Sequence, residues 1–384
     1  MIQQTLISNR VDKVDNVIHI ADVHIRNFKR HDEYESVFNR VYDYCKQQVQ
    51  KDKNTIIYLA GDIVHAKTDM SPELIVMTRN FFVNLAEIAP VILIAGNHDM
   101  NLNNRNRLDA LSPIVDSIDT PDFFYLKDTG VYTLGGINFI LNAVHEDPDN
   151  FIKPEDVVGD INVVFYHGAI DRADIGSGHI IKNNRVNIDM FKGFDFGMFG
   201  DIHSFQYLDG DAKFAYAGSL IQQNFGEGLN HGIILWKLRE GKSKFIPIPN
   251  DWAYYTIDVE DGKFVNLPTE FSIHNRVRVR SLNTSNSDLF KAITKLKSII
   301  KFIELILYCM KIDNKNQNVL FNGQPLRAKV VGQISQINIR PTYRGLLYAV
   351  GDPVVVYGGL SSNTGIGAIA QRSEEHTSEL QSRQ

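Results

Sequence analysis

An α/β fold of mixed sheets flanked by helices, followed by a small α+β domain, is what this sequence predicts, and three patterns predict it. From Val17 to Asp99, short apolar runs alternate with amphipathic helical stretches, the signature of parallel strands joined by crossover helices. From Phe123 the pattern changes to short extended runs punctuated by glycine. After Asn250 it restarts with two strand-like runs, a helix and another strand.

The first strand is Val17-Ile18-His19-Ile20-Ala21, followed at once by Asp22-Val23-His24. A helix is expected from about His31 to Gln50, because Tyr34, Val37, Phe38, Val41, Tyr42, Cys45 and Val49 recur at three- and four-residue intervals. Thr55 to Ala60 is a second strand and ends in Gly61-Asp62. Ser71-Pro72-Glu73 starts a second helix, with proline in the first turn, that runs to about Ile88. Val91 to Ala95 is a third buried strand bounded by Pro90 and Gly96, and it delivers Gly96-Asn97-His98-Asp99 at its end. Open α/β sheets keep their active sites at such carboxyl ends.

Phe123 to Ala143, with Gly130 and Gly135-Gly136 as turns, suggests antiparallel strands of a second sheet. Ile161 to Tyr166 is a further strand closing on His167-Gly168, and Phe194 to Phe199 another closing on Gly200-Asp201-Ile202-His203. Lys213–Leu220, Gly232–Leu238 and Phe245–Ile248 read as a closing meander. Beyond a boundary near Asn250, residues 253–259 and 276–281 are strand-like, 288–299 helical with Asn286 or Ser287 as cap, and 300–308 strand-like. The expected organisation is a main domain 1–250, a small α+β domain 251–311, and an unassigned, extended, glycine-rich region 312–371. Residues 372–384 look like a translated sequencing adapter and are expected to lie outside any natural fold.

Composition sets limits on function. A 384-residue chain with 43% hydrophobic and 22% charged residues has a sizeable core and room for more than one domain. No run is apolar enough for a membrane helix, and the start lacks the apolar centre of a signal peptide, so a cytoplasmic protein is expected. Cys45 and Cys309 lie far apart, which leaves no disulfide framework and no thiolate metal site. The net charge of -5 supplies no global attraction to nucleic acid. A polyanionic substrate would have to be held by local basic residues, by bound ions or by a partner.

Collected in order, the strand-end groups are Asp22 and His24, Asp62, Asn97 with His98 and Asp99, His167, and Asp201 with His203. One such pair is often a helix cap or a turn former. Five clusters in one chain are harder to dismiss. Carboxylates, imidazoles and an amide oxygen suit a pair of divalent ions such as manganese, iron or zinc, and the scarcity of cysteine argues against structural zinc.

The order DxH, GD, GNHD, a lone H and GxxH resembles the calcineurin-like metallophosphoesterases over roughly Val17 to Ile248. Within that superfamily the chain looks most like the SbcD-type recombination nucleases and their phage counterparts. Gly61-Asp62-Ile63-Val64-His65 and the Tyr216-Ala217-Gly218-Ser219 turn support this. The resemblance implies a metallophosphoesterase β-sandwich, with residues after Asn250 forming a capping and DNA-binding domain. It implies that Asp22, His24, Asp62 and His203 hold one metal, and that Asp62 bridges to a second held by Asn97, His167 and Asp201. Two cations about 3.5 to 4 Å apart need a shared anion between them. His98 is then left as general acid toward the departing sugar oxygen, or as a stabiliser of the transition state, with Asp99 as its orienter. His65, weighed on its own, is read either as contacting the DNA backbone or guiding the strand beside the metals, or as a structural residue.

Where many relatives have GHxH, this chain has Gly200-Asp201-Ile202-His203. The harder, anionic oxygen favours manganese or magnesium over softer ions, with iron as a further option; a weaker reading places Asp201 behind the ligands. His19 is expected to be a satisfied interior group, and His145, His179 and His231 surface or turn residues. Arg26, Lys29, Arg30, Arg105, Arg107, Arg172, Lys182 and Arg185 are candidates to hold phosphates, each more simply read as a solvated surface residue.

The expected activity is therefore two-metal-dependent hydrolysis of DNA, exonucleolytic with some endonucleolytic capacity, in recombination and repair. The resemblance further implies a homodimer and an SMC-like coiled-coil ATPase partner. A small-molecule phosphodiesterase or phosphatase of the same superfamily is the first alternative, and a non-catalytic binding scaffold the second.

Overall fold

In the computed structural model, residues 2–104, 106–176, 178–310, 326–331 and 355–357 are described. The chain divides into two units, Met1–Asn250 and Asp251–Gln384. In the first, β1 (Ile2–Thr5) precedes β2 (Asn16–Ile20), α1 (His31–Lys51), β3 (Thr55–Leu59), α2 (Pro72–Ile88) and β4 (Val91–Ile94). The one-turn α3 (Ser112–Val115) leads to β5 (Phe123–Leu126), β6 (Gly130–Leu134) and β7 (Ile137–Asn142). Then come β8 (Asn162–His167), β9 (Phe196–Gly200), β10 (Gln206–Tyr207), β11 (Phe214–Tyr216), β12 (Gly232–Lys237) and β13 (Lys242–Pro247).

These strands form two mixed sheets, ordered β13-β12-β2-β3-β4-β5 and β1-β6-β7-β8-β9-β11-β10. Alternation along the strands explains the layering. In β3, Ile56 and Tyr58 face the interior shared with the second sheet, while Ile57 and Leu59 face the helices. Tyr58 stacks on Phe165 of β8 with ring centroids 3.7 Å apart, joining the two sheets at the centre of the sandwich. The helices cover the outer face of the first sheet with Tyr34, Val37, Val41, Phe81 and Leu85. A third cluster, including Phe151, Phe191 and Phe199, covers the second sheet. Ser71 caps α2 as its motif predicts, its hydroxyl accepting from the Leu74 amide at 3.2 Å.

Three expectations change. Residues 123–126 do not belong to the second sheet: β5 adds to the edge of the first, parallel to β4, and only β6 and β7 form the expected antiparallel hairpin. The closing meander is split, with β11 parallel to β9 in the second sheet while β12 and β13 extend the first. An edge strand, β1, was not signalled, because all four of its residues are exposed and carry no buried pattern.

The second unit contains β14 (Trp252–Glu260), β15 (Lys263–Phe264), β16 (His274–Leu282), α4 (Asn286–Ile299) and β17 (Phe302–Met310), with β18 (Leu326–Val331) and β19 (Val355–Tyr357) continuing the sheet. β14, β16 and β17 are parallel, and α4 makes the crossover, packing Leu289, Ile293 and Leu296 on Ile257, Val277 and Leu305. Its cap is Ser285 rather than Asn286 or Ser287, the Ser285 hydroxyl accepting from the Asp288 amide at 3.1 Å. Apart from β18 and β19, the region 312–371 and all of 372–384 lie outside the described residues.

His19 is interior as expected but not satisfied. It faces the sandwich core between Tyr58 and Trp236, fully buried, and its ring nitrogens have no well-formed hydrogen bond, the Phe199 backbone supplying only a weak partner. Burial pushes its pKa down to about 3 from 6.5. The unfolded chain therefore takes up a proton that the folded chain refuses, so this contribution is fully present above about pH 6.5 and is lost as pH falls toward 3. Replacing His19 with leucine should flatten the acid limb of the stability curve by about 3 kcal/mol between pH 6.5 and 4, measured by denaturant unfolding. Parallel curves for the two proteins would refute the assignment.

Candidate metal centre

The carboxyl ends of β2, β3 and β4 from one sheet, and of β8 and β9 from the other, open on one edge of the sandwich. The loops that leave them stay paired. The Asp22 amide donates to the Gly61 carbonyl at 3.2 Å, the His24 amide to the Asp62 carbonyl at 2.9 Å, and Ile25 bridges Val64. Four site residues hold left-handed backbone conformations, with φ of 50° at Asp22, 50° at His24, 51° at Asp62 and 97° at Asp201. Such conformations cost about 1 kcal/mol or more each and persist only where surrounding contacts impose them. Close approach is the second requirement. A Cβ on Gly96 would overlap the Asp62 carboxylate, and one on Gly200 would meet both the Ala60 carbonyl and the His167 ring.

The structure brings together nearly all of the expected groups. His24 Nε2 lies 3.0 Å from His203 Nε2 and 3.6 Å from Asp62 Oδ2. His167 Nε2 lies 3.3 Å from Asp62 Oδ1, 3.0 Å from Asn97 Oδ1 and 4.0 Å from Asp201 Oδ1. Among the described residues, His, Cys, Asp and Glu ligand atoms within 4.8 Å of one another form three groups: Asp22, His24 and His203; Asp22, Asp62 and His167; and His24, His65 and His98. Asp22 is shared by the first two, so both Asp22 and Asp62 occupy the middle of the centre. Asp201 belongs to none of the three; its amide donates to both Asp22 carboxylate oxygens at 3.0 and 3.2 Å, and its side chain is partly exposed.

Hydrogen bonds set the imidazoles. His167 Nδ1 donates to the Ala60 carbonyl at 2.6 Å and His203 Nδ1 to Glu227 Oε1 at 2.8 Å, which leaves an Nε2 lone pair on each ring facing oxygen or nitrogen acceptors. Such a set of lone pairs is held together by protons or by cations. Burial and the neighbouring carboxylates push Asp22 up to about 7 and Asp201 upward. His24 is driven well below its usual value by burial. Asp62, despite burial, is held low by His167; His167, despite its own burial, is raised by Asp62. His203, half-buried, rises to about 9 against the desolvation that opposes it, through the Glu227 hydrogen bond and the Asp22 charge. Clustered oxygen and imidazole acceptors, with His24 Nδ1 and His65 Nδ1 both buried without a hydrogen-bond partner, fit a pair of divalent cations.

Asp99 does not orient His98. Its Oδ1 accepts from the Ile63 and Val64 amides at 3.0 and 3.1 Å and its Oδ2 from the Gly96 amide at 2.9 Å, so this carboxylate ties the two ligand loops together. Burial and the Asp62 charge raise it to about 7. His98 is set instead by the His65 carbonyl, which accepts from its Nδ1 at 2.7 Å, while the His98 amide donates to Asp62 at 2.8 Å. The His65 ring lies over the His98 ring at 5.7 Å, and burial lowers its pKa to about 3. Among the basic candidates, Arg30 is buried in a two-point ion pair with Glu33, and Arg185 pairs with Asp147 and Asp149; Arg105 lies outside the described residues. His231, expected at the surface, is buried against Ser219. Sequence reasoning missed Glu227, which sits in a polar turn outside any motif, and Lys67, whose ammonium donates to the Asn97 carbonyl at 2.8 Å.

Residues 16–223 match the calcineurin-like phosphoesterase family. Protein R555 of Acanthamoeba polyphaga mimivirus is 40% identical over 308 residues, which is 77% of this chain but 22% of that relative, so the chain spans about a fifth of its length. One of the subunits of nuclease SbcCD from Staphylococcus epidermidis is 20% identical over 325 residues, covering 74% of this chain and 82% of that protein.

Replacing Gly96 with alanine forces the Asp62 carboxylate from its position. Manganese titration by calorimetry should show at least a tenfold loss of affinity, as expected when a ligand is displaced, in a protein that stays folded by circular dichroism. Unchanged binding would show that the close approach does not matter.

Proposed function

The chain belongs to the calcineurin-like phosphoesterase family, and on that basis we propose that it is a two-metal-dependent DNA phosphodiesterase, an exonuclease with some endonucleolytic capacity acting in recombination and repair. The family makes it a metal-dependent phosphoester hydrolase. The observation that carries the narrower reading is the pairing of His65 with His98: the histidine three residues after Asp62 holds the proposed acid through its carbonyl and lies over its ring. The similarity to part of a nuclease supports the same reading.

In this proposal Asp22, His24, Asp62 and His203 hold one ion, and Asp62, Asn97, His167 and Asp201 the other. Bound there, the ions would activate water and neutralise charge on the phosphate. His98 stands beside His24 with ring centroids 4.8 Å apart. Its Nδ1 proton is committed to the His65 carbonyl in either charge state, so Nε2 is the nitrogen that gives a proton to the departing sugar oxygen. Asp99 acts on this step only by fixing the loops. Manganese is the proposed ion, with magnesium or iron as alternatives, because Asp201 supplies a hard anionic oxygen. Residues 251–311 are proposed to cap the site and bind DNA. A homodimer working with an SMC-like coiled-coil ATPase, in the cytoplasm, completes the proposal. Among the described residues no helix is long and apolar enough to cross a membrane.

Manganese-dependent degradation of end-labelled linear duplex DNA is the expected result, with His98→Ala lowering the rate about 10²- to 10⁴-fold while manganese still binds. Turnover of small aryl phosphodiesters without DNA cleavage would move the chain to the small-molecule branch of its family. Asp201→Ala should remove one of two manganese sites by calorimetry; two sites of full affinity in the variant would show that Asp201 is not a ligand.

A further inference from the structure

We propose that Glu227 is a positioning residue for the metal centre, holding His203 in the one orientation that presents its Nε2 to Asp22 and His24. Glu227 lies outside the matched family residues 16–223. The inference rests on the reading of the strand-end cluster as a metal site, and it concerns the side of that site built by His24 and His203.

The Glu227 side chain is about nine-tenths buried, and each carboxylate oxygen is committed. Oε1 accepts from His203 Nδ1 at 2.8 Å and from Asn224 Nδ2 at 2.7 Å. Oε2 accepts from the Gln223 amide at 2.6 Å and lies 3.8 Å from His231 Nε2. A carboxylate on one ring nitrogen fixes the tautomer and raises the basicity of the other, which is what an imidazole ligand requires. The other proposed imidazole ligands differ. His167 is held by a neutral carbonyl, and His24 Nδ1 has no partner.

The turn that carries Glu227 is anchored to the ligand loop. The Gln222 side chain donates to the Glu227 carbonyl at 2.9 Å, and the Gln222 carbonyl accepts from Arg30 at 2.7 Å. The Gln223 side chain donates at 3.4 Å to the carbonyl of Val23, the residue between Asp22 and His24. On its far side His231 contacts the Ser219 carbonyl at 2.9 Å, and Ser219 bridges Ala21 next to Asp22. Glu227 thus closes a circuit from His203 back to the middle of the Asp22-Val23-His24 segment and to Ala21 just before it. The same circuit gives Arg30 a role other than phosphate binding.

The test compares wild type, Glu227→Gln and Glu227→Leu by manganese calorimetry and by proton NMR of the metal-free proteins. The readout in NMR is the downfield, exchange-protected His203 Nδ1 proton, assigned by its loss in His203→Gln. The leucine variant should lose that proton signal and weaken one manganese site about 10- to 100-fold, leaving the other within about twofold. Glutamine keeps an acceptor and should retain the signal with a smaller loss of affinity. If the leucine variant does not fold, glutamine carries the test, and unchanged affinity there overturns the proposal. Persistence of the Nδ1 signal or unchanged manganese affinities in the leucine variant would also overturn it. A wild-type protein that binds no manganese would sink the two-metal reading, while the NMR signal would still report on the dyad.

Discussion

The structure depends on holding buried acceptors against one another. Asp22, Asp62, Asn97, His24, His167 and His203 present oxygens and imidazole nitrogens to one small volume. Left to themselves, such groups repel and would each prefer water. Protons or divalent ions can resolve the conflict, and the pKa shifts at Asp22, His167 and His203 are the protonic form of that resolution. Everything around the centre serves to keep the acceptors from moving apart.

Three devices do this. Left-handed conformations at Asp22, His24, Asp62 and Asp201 turn the chain sharply at strand ends. Glycines at 96 and 200 let adjacent loops approach to distances that any side chain would block. Asp99 commits its whole carboxylate to three backbone amides, which locks the Gly61-Asp62 loop to the Gly96-Asn97 loop. Each of these sets the position of a proposed ligand. Strain at the site is offset by the large aromatic and aliphatic layers on both faces of the sandwich.

Each imidazole is distinguished by what holds its other nitrogen. A carbonyl stands behind His167, a carboxylate behind His203, and the carbonyl of a neighbouring histidine behind His98, so each ring is oriented by a different partner. His24 has no such partner, and burial pushes it toward its neutral form, whereas His167 and His203 are shifted the other way. The family match covers all seven proposed metal ligands and ends before the turn that carries Glu227.

Strands, crossover helices and the polar groups at their ends were legible before any fold was known, because they follow from local periodicity and from motifs a few residues long. Ser71 at its helix start and the core stripe of α1 were readable for the same reason. Other features depend on residues far apart in the chain. The placement of β5 and the division of β11 from β12 were decided by which sheet edge was free, and the unsatisfied His19 by the aromatic layer around it. In Gly96-Asn97-His98-Asp99, the identities of the polar groups were readable, but their partners were not. Asp99 turned away to amides 35 and 36 residues distant as well as to Gly96, and His98 took a carbonyl 33 residues distant. Hydrogen-bond partners are chosen by proximity in space, and only the folded sandwich supplies that proximity.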